Sequence, residues 1–356
     1  MAVVASSSLN FALRARKLQG ELRRDGVPLT DMRGAAALEL QYAGASAPSL
    51  PPPVGRAGFE PIEGPIEQRR VPLSKAADSK IAFFLDGAQR TLSHSRVGLA
   101  PVSAVVAAAG VVERDACAEC RPAPGSTKLK HVWLIPGLDD PHLARFRDAV
   151  LAAGMEVRDP LATESGGPGE GEPAADYATL QQLAYEAAKQ VRQEMEADIL
   201  TWFRTVPRYV ADPRWLVVDG RLLRPQPRTI GIVKQFADGY LSGPDAETLL
   251  SLPPGYRTTA FVPQDRRRGG PDAQDRTLWY LRLWPAEGLD ARHALIRVEV
   301  AASVDTTSEI DEISSWLLAE RTPRATGDER WATLLYPIHH LERMLKRAID
   351  AQTRGW

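Results

Sequence analysis

The strongest constraint on the fold is a pair of short apolar runs inside residues 215–234, WLVVDGRLLRPQPRTIGIVK. Each run, 215–218 and 229–233, is too short for a core helix and is bounded by turn or charged residues, so each reads as a buried strand. Each also ends on a charged residue, Asp219 or Lys234. Such a group would stand at the edge of a sheet, near solvent yet held rigidly. Asp219-Gly220 is equally a strong hairpin signal, because both positions tolerate positive φ. From these residues alone, a turn between strands and a carboxylate presented at a strand end both remain open.

The same Asp-Gly pair recurs after residues 80–85, KIAFFL, as Asp86-Gly87. Here no second apolar run follows at once. Residues 88–96 carry Gln89, Arg90, Thr91, Ser93, His94 and Arg96 before an apolar stretch over 97–112 that reads as a second strand. A hairpin therefore explains Asp86 less well than Asp219. Residues 130–135, 141–154 and 155–157 predict strand, helix and strand, with Gly154 as the helix stop. The longest helical pattern spans 177–203, where Leu180, Leu183, Ala187, Val191, Met195, Ile199 and Phe203 make one apolar stripe. Further strands are expected over 257–262, 277–284 and 294–300. The alternation of Trp279, Leu281 and Leu283 with Tyr280 and Arg282 predicts a half-exposed strand. Helices near 308–320 and 339–351 close the chain. The class is α/β, a mixed sheet flanked by helices with extra β-strands.

The N-terminal part differs in character. Residues 9–24 have apolar positions at helical spacing among basic ones, ended by Asp25-Gly26, and a second helix is expected over 31–42. A proline-rich run follows, which favours an extended linker. Residues 1–57 thus predict an N-terminal helical appendage and linker, and 58–356 the main domain. The acidic, glycine-rich 163–175 is expected as a flexible surface insertion.

Net charge is −1 over 356 residues, so a nucleic-acid partner would need a local basic patch. No apolar run approaches the ~18 residues of a membrane span. With only Cys117 and Cys120 as cysteines and no long apolar leader, a cytoplasmic location is expected. Cys117-x-x-Cys120 reads as half a zinc site completed by His131 or His142, as a redox pair, or, most simply, as a loop pair without a role.

Asp86, Asp219 and a glutamate of the long helix would together hold two divalent cations ~3.5–4 Å apart, an arrangement suited to phosphodiester hydrolysis. Hard oxygen ligands select Mn²⁺ or Mg²⁺.

FFLDGAQR, the R-x-x-x-E of Arg192 and Glu196, LVVDGRLL, IGIVK, RTLWYLRLW and LLYPIHHLER occur in an order and spacing that resembles the NurA nuclease family over residues 80–350. The resemblance implies a ribonuclease H-like fold and a Mn²⁺- (or Mg²⁺-) dependent deoxyribonuclease acting on DNA ends. It also implies a ring-shaped homodimer stacked on a HerA-type hexameric ATPase, in DNA repair or anti-phage defence. Carried over by position, Asp86 and Asp219 become metal ligands, joined by Glu196, with Glu194 and Glu186 as alternatives. Lys234 would hold the scissile phosphate. His339 or His340 would complete the metal site or move a proton. Gln89, Arg90, Arg266, Arg267 and Arg268 are the expected DNA contacts. Ala88 stands where the family carries serine, so that hydroxyl is lost. The departure keeps a second reading open, a catalytically weak or inactive subunit that docks on the translocase, with residues 9–24 as part of the docking surface. An unrelated α/β hydrolase lacks support, since no G-x-S-x-G elbow is present.

Overall fold

A computed structural model of the chain describes residues 10–42, 58–72, 79–115, 119–162, 176–222, 225–234, 240–263, 276–321 and 335–356. In chain order its main elements are α1 (Phe11–Arg24), β1 (Ile81–Val97), β2 (Ala100–Arg114), β3 (Lys128–Leu134), α2 (Pro141–Ala152), β4 (Glu156–Arg158), α3 (Tyr177–Thr205), β5 (Trp215–Asp219), β6 (Thr229–Val233), β7 (Arg276–Arg282), β8 (Leu295–Ala301), α4 (Thr307–Ala319) and α5 (Tyr336–Thr353). The main path through the sheet ends on short strands Phe59–Pro61 and Phe261–Pro263, then runs β7-β8-β6-β5-β1-β2-β3-β4.

β1 and β2 form the centre, a long antiparallel hairpin turned at residues 98–99. The expected break after Gly87 does not occur. β1 runs through Asp86-Gly87 and on to Val97, because β2 offers Val, Ala or Gly opposite every position from Leu85 to Leu92. One bulge, between Ser93 and Ser95, interrupts the pairing. The ring of His94 there is buried edge-on against Trp133, Phe146 and Trp356, and burial pushes its pKa down to about 4. Beyond β2, the expected strand-helix-strand unit forms as β3-α2-β4, with β4 parallel to β3. Asp140 caps α2, accepting from His142 N and Leu143 N at 2.7 and 3.1 Å.

On the other flank β5 runs parallel to β1, and β6 parallel to β5. Parallel neighbours exclude the hairpin reading of Asp219-Gly220. Gly220 N instead donates to Ile232 O at 2.8 Å, at the far end of the parallel neighbour. β8 and β7 then add antiparallel strands. β7 is buried along its whole length, where alternation predicts one exposed face. Its supposedly outward Arg282 donates to the carbonyls of Leu250, Ala291 and His293 at 2.9, 2.8 and 2.6 Å, so a polar residue in a strand does not mark a wet face here.

Because side chains alternate across a strand, β1 and β2 feed two cores. Phe83, Leu85, Val105, Ala107, Ala109 and Val111 meet α3 through Ala187, Val191, Met195 and Ile199. Phe84, Ala104, Val106, Ala108 and Val112 share the second core with Ile338, Leu341, Leu345 and Ile349 of α5. The small alanines let both helices approach the sheet closely.

The N-terminal helix corrects an expectation. Phe11, Ala15, Leu18 and Leu22 of α1 belong to the α5-side core, and Phe11 stacks on His131 and Trp356 at 4.6 and 5.7 Å. Residues 10–24 are therefore a wall of the main body and not an appendage. Only Leu38–Tyr42 of the expected second helix is helical. The expected insertion 163–175 lies outside the described residues. Among the described residues no helix is long and apolar enough to cross a membrane.

Candidate metal centre

Leu85 pairs with Val218 in the parallel register, so Asp86 and Asp219 occupy the next positions on adjacent strands. β5 ends there while β1 continues, and among the described residues the next strand to pair with β1 on that side is Thr30–Asp31, at Ser95 and Arg96. Asp86 is 5% exposed, and its Oδ1 accepts from Gly87 N at 2.8 Å.

Glu196 arrives from α3. A Cβ built on Gly87 would lie 2.3 Å from Glu196 Oε1, so the carboxylate occupies the space that any other residue at position 87 would fill. Glu196 pairs with Arg192 one turn earlier on the same helix. The competing glutamates are engaged elsewhere, Glu194 with Arg158 at 2.5 Å and Glu186 with Lys189 at 2.9 Å. Lys234, just past β6, donates to Asp219 Oδ2 at 2.8 Å. Gly231 keeps the crossing segment close: a Cβ there would meet Leu222 Cγ at 2.7 Å. Leu222 N donates to the buried Glu299 at 3.0 Å, which anchors the loop leaving Asp219.

Electrostatically the cluster is short of positive charge. Burial first, then the neighbouring Asp219, raise Asp86 well above the usual carboxylate range; Lys234 opposes this, and Glu196 and Glu342 add to it. Burial pushes Glu196 up to about 7, with Arg192 opposing and Asp219 adding. Glu342, on α5, is the carboxylate that sequence reasoning missed. It lies one turn after His339 within LLYPIHHLER, and that helical spacing was the one signal pointing to it. A cavity of about 230 Å³ opens on the cluster, lined among others by Arg192, Glu196, Leu200, Val218, Asp219 and Arg221.

Among the described residues no three acidic, His or Cys groups stand ready around one metal position, and Lys234 and Arg192 hold two of the carboxylates. The donor set still fits a divalent ion. It consists of hard oxygens from three separate elements, and burial first, with the Asp219 charge adding to it, raises Asp86 and Glu196 above the usual carboxylate range.

Other expected site residues lie differently. His339 Nδ1 is 3.9 Å from Glu342 Oε2, and His340 sits beside the Tyr336 ring; no hydrogen bond joins either to Asp86, Glu196 or Asp219. Arg90 is tied to Asp350 at 2.6 Å and to Thr353 Oγ1 at 3.1 Å, so it braces α5. Gln89 donates to Glu39 at 3.1 Å. Arg266, Arg267, Arg268 and Cys117 lie outside the described residues. Cys120 has its thiol pushed up by burial, and His131 is stacked in the core with a pKa lowered to about 4 by burial.

No protein-family model matches the chain, and no curated protein matches it.

Proposed function

We propose that the chain is a divalent-metal-dependent DNA nuclease, with Asp86, Glu196 and Asp219 holding Mn²⁺ or Mg²⁺. The observation that carries this reading is the convergence of three carboxylates from β1, α3 and β5, two of them nearly buried and raised in pKa, beside Lys234, with Glu196 and Asp219 lining a cavity. Like charges gathered in a buried place oppose folding, so such a cluster points to function more than to structure. Two ions there would activate the attacking water and stabilise the leaving oxygen of a phosphodiester. The protein's own part is positional. Lys234 lies 2.8 Å from Asp219, close enough to bridge from that carboxylate to a phosphate oxygen and offset charge as it develops. Glu196 and Asp86 are fixed by helix and sheet, so no loop has to order before substrate is bound.

A ribonuclease H-like core is supported by the order β3-β2-β1-β5-β6, in which an antiparallel meander continues from its first strand into two parallel strands. With the motif series, this supports NurA-type assembly as a homodimer on a HerA-type hexameric ATPase. The second reading, a weak or inactive docking subunit, draws on Ala88 and on the two cations that already partner Asp219 and Glu196.

The two separate in one assay. Purified protein, with and without a HerA-type ATPase, is incubated with linear DNA and Mn²⁺. Asp86→Asn and Asp219→Asn are expected to lower cleavage by more than about 100-fold, beyond the loss for a residue that only supports a ligand. Wild-type rates in either variant would overturn the site, and no cleavage by the wild type under any of these conditions would favour the docking subunit.

A further inference from the structure

A second cavity, of about 240 Å³, shares Arg192 with the first and no other lining residue. It is a cleft between α3 and α5, floored by Gly87, Ala88 and Gln89 of β1. Tyr185, Lys189, Arg192 and Glu196 follow at spacings of four, three and four along α3, which makes them one stripe that ends on the metal-binding carboxylates. Lys346 and Glu342, one turn apart on α5, form the opposite wall. The cleft therefore runs along β1 from an aromatic ring and three cations to Gly87, the residue after Asp86.

The two lysines are held in a way that leaves them free to exchange, while Arg192 is paired with Glu196. Lys189 pairs with Glu186 at 2.9 Å and Lys346 with Glu342 at 2.7 Å, all partly or largely exposed, and pairs of this kind contribute little to stability. The Lys189 ammonium also lies 5.5 Å from the centre of the Tyr185 ring. Glu39, the remaining acid in the wall, is committed to β1, where it accepts from Thr91 N and Thr91 Oγ1 at 2.9 and 2.6 Å. Exchangeable cations beside an aromatic face are the elements that grip a single nucleic-acid strand, one on the backbone and the other on a base.

We propose that this cleft binds the nucleotide adjoining the scissile phosphate of a single DNA strand. Lys189 and Lys346 take its phosphate, Tyr185 lies against its base, and Arg192 divides it from the reacting group. The inference rests on the nuclease reading for its polarity toward Asp86, and the test keeps the two apart by omitting metal.

Binding of a fluorescein-labelled oligothymidylate to the full chain is followed by anisotropy in EDTA over a range of salt. The double variant Lys189→Ala/Lys346→Ala is expected to bind more weakly and to flatten the slope of log K against log salt by about 0.7 for each phosphate it no longer neutralises. Tyr185→Leu is expected to raise Kd by roughly 5- to 150-fold with the slope unchanged. All three positions are at least partly exposed, and thermal melts within a few degrees of the wild type establish that the variants are folded. Variants that are folded and keep wild-type affinity and slope would overturn the subsite. Equal binding of the matched duplex would overturn the single-strand assignment, and tighter binding of oligouridylate would overturn the assignment to DNA. Variant-sensitive binding in a protein that never cleaves would uphold the cleft and sink the nuclease reading alone.

Discussion

Gly87 decides how closely α3 can bring its acid to the sheet. In Gly87→Ala the new methyl would meet Glu196 Oε1, the far end of a flexible side chain, so stability is expected to fall by only about 1 kcal/mol while Glu196 leaves its position. Mn²⁺-dependent cleavage should drop more than tenfold; an unchanged rate would remove Glu196 from the site. Glu196 also sets a pH dependence. Its folded pKa of about 7 lies above the ordinary 4.5, so between those values the folded state holds the proton that the unfolded state has released. Its contribution to stability is full below about pH 4.5 and is lost as pH rises through about 7, and Asp86, also raised, acts in the same direction. Urea unfolding of metal-free protein at several pH values should show that decline, with Glu196→Gln flattening it; metal affinity should rise over the same window, since ligation needs the carboxylate. At this scale Asp86, Asp219 and Lys234 were legible because each follows a short apolar run. Glu342 was not, because a helix-face glutamate looks the same in sequence whether it solvates the surface or faces a buried aspartate.

At the scale of elements, α1 changes what a truncation would mean. Its Phe11 is fully buried between His131 and Trp356, so Phe11→Ala is expected to cost about 3–5 kcal/mol in denaturant unfolding. Deleting the helix would expose the α5-side core, and loss of a partner in such a variant would report unfolding. Arg16 and Lys17 lie on the exposed face, so Arg16→Glu/Lys17→Glu tests the docking expectation cleanly. The double variant should keep the wild-type melting temperature and weaken capture by the ATPase; undiminished capture would exclude this face. The helix itself was legible from its apolar spacing, but its burial was not. Its partners, His131, Trp133 and Trp356, lie more than a hundred residues away, and local periodicity carries no record of them. The same limit hid the course of β1. Gln89 to Arg96 read as a polar connection, yet each of those residues except His94 pairs with β2, and Glu39 reaches across to satisfy Thr91.

For the whole molecule, alternation of strands and helices announced an α/β sheet flanked by helices, while strand order and the placing of helices on both faces lay beyond any local pattern. Parallel pairing of β5 to β1 is what turns two Asp-Gly pairs, 133 positions apart in the chain, into neighbours. Assembly is open to a direct check: a homodimer should elute in light scattering at twice 38.9 kDa, and a monomer at working concentration would contradict the proposed ring. The central claim is that Asp86, Glu196 and Asp219 form one metal site, and anomalous scattering from Mn²⁺-soaked crystals tests it most directly. Manganese peaks at coordination distance from carboxylate oxygens of all three residues, absent in Asp219→Asn, are the expected result. Saturating Mn²⁺ with no peak between β1, α3 and β5 would contradict it.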